Sequence, residues 1–311
     1  MQAANFERIL NAIRKSPFQK KKLEKYLSTR DETFFKEAEE FSEQYIGYLA
    51  SENIPVEYAV EAYQKLCNDM MKCQIFFMKT GKYSMISADA SEANKNIYEN
   101  ESVMKLYMIG LALSQFLWSS HYDMYTCLIQ SIKQNSKDIK SYLEIGPGHG
   151  LFMNKAIELI DGKSTITAVD ISSTSIAITK SILNYLKPGS QNIIYHTIDM
   201  LKLNLDEKYD YITMGEVLEH VNFPETLLLK LRDLLNDNGR AFVSTCVNCP
   251  AIDHVYHFKT IGEIREMFSK CGLGIIEERV LPVEDLPFEE IMERKITVNY
   301  CAILKKVQLN D

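Results

Sequence analysis

Two stretches of the chain carry residue types that could do chemistry together. The first is Leu143-Glu144-Ile145-Gly146-Pro147-Gly148-His149-Gly150. Its three glycines alternate between an apolar run, Ser141 to Ile145, and a helical pattern, Leu151 to Ile160. Glycine lets a chain turn sharply and lets backbone lie against a ligand, because it has no Cβ. The helix that follows offers unpaired N–H groups and a partial positive charge. Such a turn is a nucleotide-type cofactor loop in a parallel α/β fold. Asp170 stands about twenty residues further on, where a carboxylate accepts from both hydroxyls of a ribose. Asp199, in Ile198-Asp199-Met200, follows the next apolar run, where a short acceptor can meet an adenine amino group. The loop and Asp170 alone do not separate a nicotinamide cofactor from S-adenosylmethionine. Pro147 and the Gly-x-Gly-x-Gly spacing lean away from a dehydrogenase.

The second stretch is acidic and imidazole-rich. Glu216-x-x-Glu219-His220 places three donors near one helix start. Cys249-Pro250-Ala251-Ile252-Asp253-His254-Val255-Tyr256-His257 follows the fifth expected strand, whose end should lie beside the fourth. Two carboxylates and two imidazoles can converge on one divalent ion. Without an ion, His254 or His257 is the expected base, with His220 beside them. Cys246-Val247-Asn248-Cys249 has the spacing of a zinc pair, but its expected place in a buried strand and the lack of a second pair argue against one.

These residues need a scaffold, and the chain divides in two to give it. Residues 1–135 read as helical: Phe6, Ile9, Leu10 and Ile13 share one face, as do Phe34, Ala38, Phe41, Tyr45 and Leu49, and again Ala59, Tyr63, Leu66 and Met70. Breaks are expected at Ser16-Pro17, Asn53-Ile54-Pro55 and Thr80-Gly81-Lys82. Ser87 to Asn100 is a loop or short helix, and Glu101 to Gln134 one or two helices. Residues 136–311 alternate strands and helices. Strands are expected at Ser141–Gly146, Ser164–Ile171, Asn192–Ile198, Tyr209–Met214, Arg240–Val247, Leu273–Val280 and Thr297–Leu304, with helices after the first five. This is a mostly parallel seven-stranded sheet covered on both faces, with an antiparallel edge. Thr260 and Pro224 mark helix starts, and Gly272 a stop.

The helical part is rich in Met, Tyr, Phe and Trp, which pack as a core or line a pocket for an apolar or aromatic substrate. Trp118, His121 and Tyr122 are the candidate substrate contacts, because polar groups interrupt the apolar run there. The same helices could serve a homodimer as easily as a lid.

The chain has 311 residues and a formal net charge of −7. That charge argues against nucleic acid as a partner. Arg14, Lys15, Lys20, Lys21, Lys22 and Lys25 are a local exception and read as a solvated helix face. Seven cysteines at irregular spacings suit a reducing cytoplasm, not a disulfide framework. The start Met1-Gln2-Ala3-Ala4-Asn5-Phe6-Glu7 lacks the form of a signal peptide. The uncharged run Leu106 to Tyr122 is too polar and short for a membrane span, so a buried helix is expected.

The order of glycine loop, Asp170, Asp199, Glu216-Val217-Leu218-Glu219-His220-Val221 and the Asn238-Gly239 turn resembles class I S-adenosylmethionine-dependent methyltransferases, over about Ser136 to Lys306. Within them it is most similar to the small-molecule branch of the ubiquinone-biosynthesis O-methyltransferase type. The resemblance implies a Rossmann-like fold and methyl transfer to an oxygen, or less readily a nitrogen, of a small, partly apolar metabolite or natural-product intermediate. It implies that Glu144, Gly146, Gly148 and Gly150 hold the methionine end of the cofactor. Asp170 would take the ribose, Ile171, Asp199 and Met200 the adenine, and Glu216 would border cofactor and substrate. Glu216, Glu219, His220 and His254 resemble a magnesium-type site of such enzymes and of plant small-RNA 2′-O-methyltransferases. Two other readings stay open: a non-catalytic S-adenosylmethionine-binding regulator or interaction protein, whose substrate pocket would be filled by side chains, and an NAD-dependent oxidoreductase.

Overall fold

The computed structural model describes residues 4–15, 17–83, 89–189, 193–203 and 207–307. Met1, Ser16, Ser87, Asn192 and Asp311, which bound segments expected above, lie outside the described residues.

Among the described residues seven α-helices come first: α1 (Asn5–Ile13), α2 (Pro17–Leu27), α3 (Glu32–Ser51), α4 (Val56–Thr80), α5 (Ala90–Ala93), α6 (Glu101–Leu117) and α7 (Ser119–Asn135). Local chemistry sets their ends. The carboxylates of Asp31 and Asp89 and the amide oxygen of Asn100 accept the backbone N–H groups of Phe34, Glu92 and Val103 at 2.9–3.3 Å, satisfying donors that a helix start leaves unpaired. Gly81 closes α4 at φ +70°. The span expected as one or two helices is two, because Trp118 breaks it with extended backbone (φ −116°, ψ 127°). α5 runs into a π-helical turn, Asn94–Tyr98, a form concentrated at functional sites. No helix among the described residues is long and apolar enough to cross a membrane.

The second part alternates as expected. Its elements are β1 (Ser141–Ile145), α8 (Leu151–Leu159), β2 (Thr165–Asp170), α9 (Ser173–Leu186), β3 (Ile193–Thr197), β4 (Tyr209–Gly215), α10 (Pro224–Leu234), β5 (Leu235–Val247), α11 (Ile261–Lys270), β6 (Leu273–Pro282), α12 (Phe288–Glu293) and β7 (Val298–Lys306). They form one sheet of order β3-β2-β1-β4-β5-β7-β6. The first five strands pair in parallel, and β7 lies antiparallel between β5 and β6.

Three expectations are corrected. After β3 the described residues hold only a 3₁₀ turn, Met200–Lys202, with no α-helix. β6 and β7 are joined through the short helix α12, which has too few residues to show a period. Asn236–Gly239 is not a free turn; it lies within β5, where pairing slips from Tyr209–Leu235 to Tyr211–Arg240.

One buried cluster runs from α1 to the sheet, taking in Phe34, Phe116, Tyr142, Phe242 and Cys301. The α-helical part therefore shares apolar core with one sheet face. α7 is fixed to the sheet by polar contacts as well: Tyr211 Oη donates to Ser131 Oγ at 2.8 Å, and Arg279 reaches Gln130 Oε1 at 2.6 Å.

Candidate active site

A cavity of about 1390 Å³ opens between the N-terminal helices and the C-terminal ends of β1, β2 and β4. Strand order reverses between β1 and β4, and ligands of open α/β sheets bind at such a point.

The glycine loop forms one wall. Gly146, Gly148 and Gly150 have φ of +67°, +56° and +74°, a region that costs any residue with a Cβ. A Cβ on Gly146 would lie 2.7 Å from Val217 Cγ2. Gly146 and Gly148 line the cavity, but Gly150 does not; its role is close packing of α8 on α9, where a Cβ would meet Thr179 and Ile182 at 3.1 Å.

Glu144, next to last in β1, lines the cavity. Burial pushes its pKa up to about 8, against the lowering effect of the Tyr142 hydroxyl at 2.5 Å. Asp170 ends β2. Its Oδ1 accepts from Ser172 N–H at 2.8 Å and its Oδ2 from Ser175 Oγ at 2.7 Å. Burial raises its pKa despite those donors. Ile171, Asp199 and Met200 line the same side, with Asp199 capping its 3₁₀ turn through Leu201 N–H at 3.0 Å.

The acidic stretch forms the facing wall. Glu216 leaves β4 at φ +53°, a strained conformation for a residue with a side chain. Its N–H is held by Ser244 O and Oγ, both at 3.1 Å. Asn299 Nδ2 reaches Glu216 Oε2 at 3.4 Å, while Oε1 is buried without a hydrogen-bond partner among the described residues. Burial, then the charge of Glu219, pushes the Glu216 pKa well up. Glu219 is fully buried; Thr245 Oγ1 donates to its Oε2 at 2.7 Å, and its Oε1 has no hydrogen-bond partner among the described residues.

Both imidazoles are held through Nδ1. His220 Nδ1 lies 2.9 Å from Tyr98 Oη and 3.2 Å from the Asp253 carbonyl. His254 Nδ1 lies 2.5 Å from the Cys249 carbonyl. A carbonyl only accepts, so each Nδ1 carries a proton. His220 Nε2 is 3.8 Å from the unpartnered Glu219 Oε1. Ligand atoms of Glu219, His220 and His254 all lie within 4.8 Å of one another, as do those of Glu216, Glu219 and Cys246. Burial opposes charge on His254, but Cys249 and the nearby carboxylates outweigh it and raise its pKa to about 10. Buried carboxylates, each with an oxygen that has no hydrogen-bond partner among the described residues, beside two imidazoles form a donor set that fits a divalent cation.

The structure does not bring every expected residue to the cavity. His257 is off its wall; Nε2 pairs with Asn248 Oδ1 at 2.8 Å and the ring stacks on Tyr83 at 4.3 Å. Tyr122 is also off it, its ring against Phe34 and its hydroxyl on Glu37 at 2.9 Å. Trp118 and His121 do line the cavity. His121 Nδ1 is 2.8 Å from Ser114 Oγ, and burial, then nearby His149, lowers its pKa to about 3. Tyr98 and Asp253 were not singled out by sequence, yet Tyr98 Oη bridges His220 and Asp253 Oδ2, the latter at 3.0 Å. Asp253 stood inside the quoted Cys249–His257 run, and that adjacency was its only signal.

Residues 122–278, half of the chain, match a family model described as a methyltransferase domain. The chain belongs to the S-adenosylmethionine-dependent methyltransferases. This methyltransferase is 30% identical over 176 residues to a ubiquinone biosynthesis O-methyltransferase of Glaesserella parasuis, covering 54% of this chain and 71% of that protein. It is 27% identical over 149 residues to a malonyl-[acyl-carrier protein] O-methyltransferase of Bacillus cereus, covering 47% and 53%. Among solved structures, an N-methyltransferase NodS of Bradyrhizobium japonicum bound to S-adenosyl-L-homocysteine is 16% identical, with a TM-score of 0.49 over 61% of this chain and 89% of that one. The matched region begins at Tyr122, inside α7. Family membership sets the nicotinamide reading aside. Among the described residues the cavity is open, without the side-chain filling expected of a non-catalytic relative.

Proposed function

We propose that this methyltransferase moves a methyl group from S-adenosylmethionine to an oxygen of a small, partly apolar acceptor, seated against Glu216, Glu219, His220 and His254. The observation that carries this reading is a pair of carboxylate oxygens beside the cavity, Glu216 Oε1 and Glu219 Oε1, that have no hydrogen-bond partner among the described residues. An amine acceptor does not need so basic a site, whereas a hydroxyl must lose its proton.

In this reading Glu144, Gly146 and Gly148 seat the methionine end of the cofactor, Asp170 its ribose, and Ile171, Asp199 and Met200 its adenine. Met70, Met108, Leu111, Trp118 and Met124 give the rest of the cavity an adaptable apolar lining. Glu216 accepts the acceptor's hydroxyl proton as the oxygen–methyl bond forms and the sulfur–methyl bond breaks. Its raised proton affinity, from burial and then the Glu219 charge, favours taking up that proton. Glu219, His220 and His254 would hold a divalent cation such as magnesium, which would lower the pKa of a bound hydroxyl. Tyr98 and Asp253 fix the His220 ring so that Nε2 faces Glu219. The negative net charge suits a small molecule better than RNA.

The test is Glu216→Gln. Turnover with a dihydroxylated aromatic acceptor should fall by about a hundredfold or more, with S-adenosylhomocysteine binding unchanged. Unchanged turnover would remove Glu216 as the base.

A further inference from the structure

Cys246 lies at the junction of two donor groups. Its Sγ is within 4.8 Å of the Glu216 and Glu219 carboxylates, and also of Cys249 Sγ and a His254 ring nitrogen. It is fully buried, on β5, and in register with Asn299, which holds Glu216. Its described contact with His254 Nδ1 is 3.9 Å, long for any bond, and that nitrogen is already committed to the Cys249 carbonyl. Glu219 Oε1, in a fully buried side chain, lies 3.8 Å from His220 Nε2 and has no hydrogen-bond partner among the described residues.

Magnesium selects oxygen ligands and dehydrates reluctantly. This centre supplies imidazoles and a thiol beside its carboxylates, which is the chemistry of zinc and its borderline neighbours. The burial that argued against a zinc pair in the sequence bears on a Cys246–Cys249 pair alone; it does not weigh against a thiol placed beneath carboxylates and imidazoles.

We propose that Cys246 is a thiolate ligand of the cation centre, and that the centre takes zinc in preference to magnesium. The thiol proton leaves to solvent as the metal–sulfur bond forms. This rests on the cation reading above, and the test separates the two.

The full chain is stripped with a chelator and titrated with cobalt(II), a spectroscopic stand-in for zinc. Wild type should show visible d–d bands together with a sulfur-to-cobalt charge-transfer band in the near ultraviolet. Cys246→Ser should lose the charge-transfer band, keep d–d bands and bind zinc about tenfold or more weaker, with magnesium affinity unchanged. Cys249→Ser should keep the band. S-adenosylhomocysteine binding checks that each variant is folded. X-ray absorption of zinc-loaded wild type needs no variant and should show a sulfur shell at about 2.3 Å. Visible bands without charge transfer, or a charge-transfer band that follows Cys249, would overturn the thiolate assignment and leave the cation reading standing. No cobalt spectrum at all would overturn both.

Discussion

Replacing Asp170 by Asn separates a cofactor ligand from a structural carboxylate. In the structure Oδ1 accepts from Ser172 N–H and Oδ2 from the Ser175 hydroxyl. The amide oxygen of Asn can keep the first contact. The amide NH₂ can then donate to Ser175 Oγ, whose own hydroxyl already has Gly148 O within 3.3 Å. Every local donor thus finds an acceptor, and the fold should lose about 1 kcal/mol or less. The ribose fares worse. A carboxylate accepts from both ribose hydroxyls, each hydrogen bond to a charged group contributing about 1.5–3 kcal/mol. Asn keeps one neutral acceptor, so the net loss is about 2–3 kcal/mol, or about 30- to 150-fold in Kd. Calorimetric titration with S-adenosylhomocysteine measures this, beside the Tm of the empty variant. The pH dependence adds a second readout. Burial raises the Asp170 pKa, so wild-type affinity should fall on acidification earlier than for an ordinary aspartate. The Asn variant should lack that limb. A Kd within threefold of wild type would refute the ribose assignment. A Tm that collapses together with affinity would show that the carboxylate serves the loop instead.

Glu144 should be protonated in the empty protein at pH 7, since burial holds its pKa near 8. The cofactor's ammonium group should draw that proton off, so binding at pH 7 should release close to one proton, measured in buffers of different ionisation enthalpy. The folded value is raised above the ordinary 4.5, so the protonated carboxyl's contribution to stability is complete below about pH 4.5 and is lost as pH rises toward 8. Tm of the empty protein should fall across that window, and Glu144→Gln should flatten the fall. Gly146→Ala places a Cβ at φ +67° and 2.7 Å from Val217 Cγ2. It should cost about 1–2 kcal/mol from the backbone alone, and Val217→Ala should recover only the steric excess, read from Tm. Tyr98→Phe removes the hydroxyl between His220 and Asp253. We expect kcat to drop about tenfold with S-adenosylhomocysteine affinity constant; an unchanged kcat would dismiss the bridge.

The sheet and the cofactor loop were legible because their signals are local. Apolar strands read as runs, and a turn at positive φ demands glycine at Gly146 and Gly148. The 3₁₀ turn after β3 and the short α12 were not legible, because three or six residues carry no period. Side-chain direction was the other failure. Neighbours on a helix point about 100° apart, so His121 reaches the cavity while Tyr122 turns into Phe34 and Phe116. Only the packing of α7 decides which of the two faces inward. Tyr98 was hidden for a similar reason: it stands in a polar stretch, 122 residues from its partner His220, and only the π-helical turn delivers it there. Glu216, Glu219, His220 and His254 were grouped by reasoning from strand order, and β4 and β5 do lie side by side.

The most direct test of the oxygen-transfer account uses S-adenosylmethionine labelled in the methyl group. Wild type and Glu219→Gln would each be given a vicinal dihydroxy aromatic and the matching aromatic amine. The account predicts labelled methyl ether from wild type and little transfer to the amine. It predicts no ether from Glu219→Gln, with S-adenosylhomocysteine binding intact. Transfer to the amine at an equal rate by both proteins would contradict it.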